Sequence, residues 1–166
     1  LGSRGLGDVY KRQLTVNSTT TNKSVDISVP IESSAGFVAG LVNSNASTLG
    51  VEATAITRIK FPPPKRDGTI SFTLKSKPGV NNSASISASV LSTNLTNLAN
   101  TINNFSGRTG VTANLSSDKK HLILENKDGD DIEITSFTGP DSLTKDTTAL
   151  GAAASDTINY SAHGLS

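Results

Sequence analysis

Residues 95–113 read LTNLANTINNFSGRTGVTA, and sixty positions earlier residues 35–53 read AGFVAGLVNSNASTLGVEA. In that register Ala35, Val38, Ala39, Val42, Asn43, Gly50, Val51 and Ala53 correspond to Leu95, Leu98, Ala99, Ile102, Asn103, Gly110, Val111 and Ala113. The first four apolar positions of each set fall at i, i+3, i+4 and i+7, which is one stripe of an amphipathic helix. Capping residues precede each stripe: Ser33 or Ser34 in the first copy, Thr93 or Asn94 in the second. Their side-chain oxygens can accept orphan N–H bonds of a first helical turn. A polar run follows each stripe, and then Gly50 or Gly110, where glycine turns the backbone at little steric cost.

Beyond the glycines the pattern switches to a period of two. Val51, Ala53, Ala55, Thr57, Ile59 and Phe61 share one face of an expected strand, and Val111, Ala113 and Leu115 one face of another. Further strands are expected at 25–29, 70–74, 86–90, 122–124 and 132–134. The pairs Asp67-Gly68, Asp118-Lys119 and Asp128-Gly129 supply tight-hairpin residues, and Pro62 to Pro64 stiffen a loop that cannot enter a central strand. The expected fold class is α+β, with two similar small units, each a short amphipathic helix packed on an antiparallel sheet with hairpins. The units are placed at 14–76 and 77–139, with 140–166 a linker and the start of a further element.

The chain begins at Leu1 and contains no methionine, so it reads as a piece of a longer protein. Ser3 to Gln13, SRGLGDVYKRQ, matches the in-frame translation of a transposase adapter used in sequencing libraries. Residues 1–13 are therefore expected to be a disordered scar that contributes nothing to the fold. Taking Arg4, Lys11 and Arg12 from the fifteen basic residues and Asp8 from the fourteen acidic ones leaves twelve and thirteen. The balance is then slightly acidic, and no nucleic-acid footprint of clustered Lys and Arg is expected.

Apolar residues make up 34% and aromatics 4% of the chain, so the core must be assembled from many small aliphatic contacts. Cysteine is absent, which excludes disulfides and thiolate metal sites. No stretch approaches the roughly 20 apolar residues that a membrane-spanning helix needs, and no membrane partner is expected.

Few residues point to chemistry. Asn126, Asp128, Asp130, Asp131 and Glu133 cluster oxygens as a calcium loop would, but Gly129 comes too early for an EF-hand spacing, and the run reads as a hairpin turn. His121 and His163 are the only histidines, and neither accompanies a serine in a nucleophile elbow. Lys65-Arg66 reads as a solvated loop tip. Asn-x-Ser/Thr triplets such as Asn45-Ala46-Ser47 and Asn114-Leu115-Ser116 fit an N-glycosylation acceptor, yet arise readily in so Asn/Ser/Thr-rich a chain. No catalytic, cofactor-binding or metal-binding residue is assigned, no cofactor is expected, and an enzyme is not expected.

The stretch 95–115, followed by LILENKDGDDI at 122–132, resembles the flagellin IN motif. In that motif a short helix ending in a hydrophobic-Asn pair leads through a polar loop to Thr-Gly-Val-x-Ala and a strand. Residues 37–57 resemble the companion copy found in flagellins with long inserts, departing from it at Leu49, where the second copy has Thr109, and at Gly40 within the helix. The likeness covers 25–137. It implies the variable outer region of a bacterial flagellin: a secreted structural component of the extracellular filament that supports motility. Neighbouring flagellin subunits, contacted through segments outside the likeness, and the flagellar export apparatus are the implied partners, with surface glycans a further class. A hook-associated or cap protein also carries such motifs. A carbohydrate- or cell-binding module of an adhesin or phage tail, and an enzyme accessory domain, are the readings of other classes.

Overall fold

A computed structural model of the chain describes residues 11–76, 81–140 and 160–161. The element order is β1 (Lys11–Ser18), β2 (Lys23–Pro30), α1 (Ala35–Asn43), α2 (Ala46–Leu49), β3 (Thr57–Phe61), β4 (Gly68–Lys75), β5 (Ser83–Val90), α3 (Thr96–Asn104), α4 (Ser106–Thr109), β6 (Thr112–Leu115), β7 (Leu122–Asn126), β8 (Glu133–Thr138) and β9 (Tyr160–Ser161). The fold is α+β. Among the described residues the strands form three antiparallel sheets, ordered β1-β2, β3-β7-β6 and β5-β4-β8-β9.

The alternation of β4 and β5 explains the largest sheet. Ile70, Phe72 and Leu74 point inward from β4 and pair with Ala88, Ile86 and Ala84 of β5, so large and small side chains mostly interleave across the ladder. The intervening Ser85, Ser87 and Ser89 face solvent, and Ser87 shares a hydroxyl bond of 2.9 Å with Ser71. Helix α3 lays Leu98, Ala99 and Ile102 against β5 and β6, and so seals the side of the core between two edge strands of different sheets. Leu98 and Ile102 are fully buried, as is Leu95 just before the helix. Each such burial stabilises the fold by about 1.5–3 kcal/mol. Phe61 of β3 meets Phe72 of β4 and Phe137 of β8 with ring centroids 6.0–6.1 Å apart, joining the two larger sheets. At Ser136, φ +53°, the pairing of β8 with β4 shifts register, a bulge that brings Phe137 onto this aromatic cluster.

The repeat extends further than its helices. Strands β2 and β5 stand sixty positions apart, as do α2 and α4, and each hairpin precedes its helix pair: β1-β2-α1-α2 and β4-β5-α3-α4. In the first copy α1 and α2 pack on the β1-β2 hairpin, burying Ile27, Ala35, Val42 and Leu49. Ser34 accepts the Phe37 N–H as an N-cap, and Asn94 accepts the Thr96 N–H at the corresponding end of α3. Gly50 (φ +64°) and Gly110 (φ +77°) close the two helix pairs in the left-handed region.

Four expectations need correction. The adapter match predicts a disordered scar over 1–13, yet Lys11, Arg12 and Gln13 belong to β1 and pair with Pro30, Val29 and Ser28; a backbone ladder needs no evolved side chain to form. The unit boundary between 76 and 77 does not separate two cores, because β4 lies between β5 and β8, and β3 pairs with β7. The alternation predicts a strand from 51, but only Thr57–Phe61 is one; residues 51–56 have no partner strand among the described residues. Asp67-Gly68 and Asp128-Gly129 turn the chain between different sheets rather than closing hairpins, whereas Asp118-Lys119, with Lys119 at φ +59°, does join β6 to β7. Within the 140–166 range, only residues 140, 160 and 161 are described; Tyr160 and Ser161 pair with Ile134 and Glu133.

Candidate functional site

The polar chemistry of the described residues gathers around β6, β7 and the turns at their ends. Asn103, the last motif residue of α3, reaches the edge of β6: its Nδ2 donates to the Ala113 carbonyl at 3.0 Å, and its Oδ1 accepts the Ala113 N–H at 2.7 Å. The amide thereby takes the place of a neighbouring strand. Asn43 makes the same pair of bonds to Ala53, at 2.9 and 2.8 Å. Beside the second clamp lies an open polar groove of about 370 Å³ lined by Asn103, Ser106, Thr112, Asn114, Glu125 and Lys127. Across the β3-β7 ladder Arg58 donates from Nε to Glu125 Oε2 at 2.7 Å, with the guanidinium largely exposed and the carboxylate nearly buried. A half-exposed pair of this kind holds geometry more than it stabilises, contributing about 0–1 kcal/mol.

Asn126 is fully buried and accounts for the acidic turn that follows it. Its Nδ2 donates to Ser76 Oγ at 2.9 Å and to the Gly110 carbonyl at 3.3 Å. Its Oδ1 accepts the N–H groups of Asp128 and Asp130. The calcium-like run is thus a turn pinned from inside by an amide. Among the described residues no group of three or more His, Cys, Asp or Glu is placed to hold a metal ion. Gly129, at φ +75°, packs against Ala55 and Gly36, and its carbonyl accepts the Gly36 N–H at 2.8 Å, tying α1 to this turn.

The structure also brings together Ser116, Asp118 and His121 on the β6-β7 hairpin, a set the sequence reasoning did not connect; the Ser-x-Asp-x-x-His spacing was the available signal. Ser116 Oγ donates to Asp118 and accepts the backbone N–H of His121, while His121 Nδ1 stands 3.7 Å from Asp118. A nucleophilic serine would instead have to give its proton to the imidazole. These bonds close a turn. The Ser116 hydroxyl, then the Lys120 N–H, hold the Asp118 carboxyl below the usual carboxylate range. His163 lies outside the described residues.

Lys65 is exposed in the loop after Pro64, in keeping with a loop tip. Of the two Asn-x-Ser/Thr triplets named above, Asn45 spends its Nδ2 on the Leu41 carbonyl, and Asn114 is exposed beside the groove. No described helix is long and apolar enough to cross a membrane. No protein-family model matches the chain, and no curated protein matches it.

Proposed function

We propose that the chain is a surface domain of a flagellin-type filament subunit, a secreted structural module with no turnover of its own. The observation that carries this reading is the doubled clamp. Each stretch that resembles the IN motif ends its helix in an Asn whose amide brackets the Ala of Gly-Val-x-Ala, once at Asn43 and once at Asn103. A motif used twice to pin a helix to an extended segment is a building element rather than a site of reaction. The hydroxyl-lined outer faces of β4 and β5 suit a solvent-facing surface and carry groups that glycans could modify. Contacts with neighbouring subunits and with the export apparatus would run through segments beyond 25–137.

Deleting residues 25–137 from the full-length gene tests the role. Filaments that still assemble, with a thinner or smoother outline in electron micrographs, are the expected result. Cells without filaments would overturn the outer-domain reading.

A further inference from the structure

The two copies differ in what lies beyond their clamps. In the second, Asn103 closes one side of Ala113, while Thr112 and Asn114 pair on the other side with Glu125 and Ile123 of β7. In the first, Asn43 closes Ala53, but residues 51–56 belong to no strand. Among the described residues no backbone–backbone hydrogen bond reaches them. By the sixty-residue equivalence, the groups left facing outward are the N–H and C=O of Glu52 and Thr54. Exposed large apolar side chains concentrate in the same copy, at Leu14, Ile31, Phe37 and Ile56, against Leu91 and Ile123 elsewhere. An open backbone edge, in the copy that carries more of the exposed large apolar side chains, fits a strand-acceptor site.

We propose that residues 51–56 accept an added antiparallel β-strand from a partner polypeptide of β7-like chemistry, with large aliphatic residues at alternate positions and a basic residue opposite Glu52. The pattern is read from the filled copy. There Leu124 and Leu122 of β7, both fully buried, lie opposite Ala113 and Leu115. Ala53 is half-buried and small, so it calls for a large partner such as Leu124 supplies, whereas Ala55 already packs against Gly129. The charge differs: Glu52 stands where the second copy has Thr112 opposite Glu125, and like charges directly opposite are destabilising. A second copy of this chain fits less well, since pairing two such edges about residue 53 sets Ala53 against Ala53 and fills nothing. The acceptor edge rests on the Asn43–Ala53 bonds and the sixty-residue repeat, and stands apart from the filament role.

The probe is the peptide KHLILKNK, residues 120–127 with Glu125→Lys, added to the full ¹⁵N-labelled chain. Amide exchange at Glu52 and Thr54 is expected to slow by at least about tenfold on saturation, with Ala53 unchanged. The unsubstituted peptide should bind more weakly, and Glu52→Lys in the chain should invert that preference. Thr54→Pro, which removes an N–H that bonds to nothing described, should abolish binding without moving the thermal midpoint. Unchanged exchange at both amides would overturn the proposal, as would equal binding of the two peptides. So would protection of both amides in the monomeric chain alone, which would mean that the chain fills its own edge. A dimer in sedimentation velocity that Thr54→Pro dissolves would assign the edge to a second copy instead.

Discussion

Asn103 and Ala113 are joined by both hydrogen bonds that a side-chain amide can offer to one residue's backbone, and Asn43 and Ala53 repeat the arrangement ten residues apart in the other copy. Surroundings separate the two. Ala113 is buried on a paired strand, whereas the Asn43 bonds are exposed to solvent. Asn103→Ala removes two partly buried hydrogen bonds to the buried Ala113 and should cost about 1–2 kcal/mol in urea unfolding. Asn43→Ala, whose partners can turn to water, should cost less than about 1 kcal/mol. Equal losses would show that the first copy is packed as tightly as the second.

Leu98→Ala should cost about 2–5 kcal/mol, because Leu98 is fully buried between α3 and the strands that flank it. Its counterpart Val38 is only half-buried, and Val38→Ala should cost about 1 kcal/mol or less. Thermal midpoints of the two variants check the contrast. A larger loss at Val38 would show that α1 is packed more tightly than α3.

Gly129 cannot carry a side chain without moving its neighbours, since a Cβ there would run into Ala55 and the Gly36 backbone, and φ is +75°. Gly129→Ala should cost about 1–3 kcal/mol and expose the Gly36 amide to exchange. Retained protection at Gly36 would show that the turn does not hold α1 in place.

Asp67 accepts the backbone N–H of Ser92 at 2.7 Å and then its hydroxyl at 3.0 Å, and these bonds hold its carboxyl below the usual range. A carboxyl with a folded pKa below its unfolded value, about 3.9, stabilises the fold above that value. The contribution is lost as pH falls through the lower, folded pKa. An NMR titration should place the Asp67 transition below that of an unfolded peptide, and Ser92→Ala should move it part of the way back. A transition unmoved by Ser92→Ala would refute the hydroxyl's share.

The helices, the closing glycines and most strands were legible because each leaves a local period or a special backbone angle. The partner of a strand leaves neither. Alternation from Val51 to Phe61 predicts a strand, yet only Thr57–Phe61 is one and residues 51–56 pair with no described strand, since pairing depends on what arrives at the edge. Likewise Asp128-Gly129 announces a turn, but whether it closes a hairpin or crosses between sheets is decided at a distance, by Asn126 and its bonds to Ser76 and Gly110. The Asn43 and Asn103 positions were visible as a repeated pair, yet their role was not, because a side-chain amide acting as a strand has no sequence period. Lys11 to Gln13 show the converse: adapter-like residues still zip onto β2, since backbone pairing asks little of side chains.

The filament-surface role is tested most directly with a single cysteine placed at Ser87, which is exposed on the hydroxyl face of β5 in a chain that has no cysteine of its own. With Ser87→Cys in a full-length subunit otherwise free of cysteine, a membrane-impermeant maleimide dye added to intact cells should label filaments along their whole length. Label confined to filament tips or to the hook, or absent from filaments altogether, would contradict the role and place the chain elsewhere.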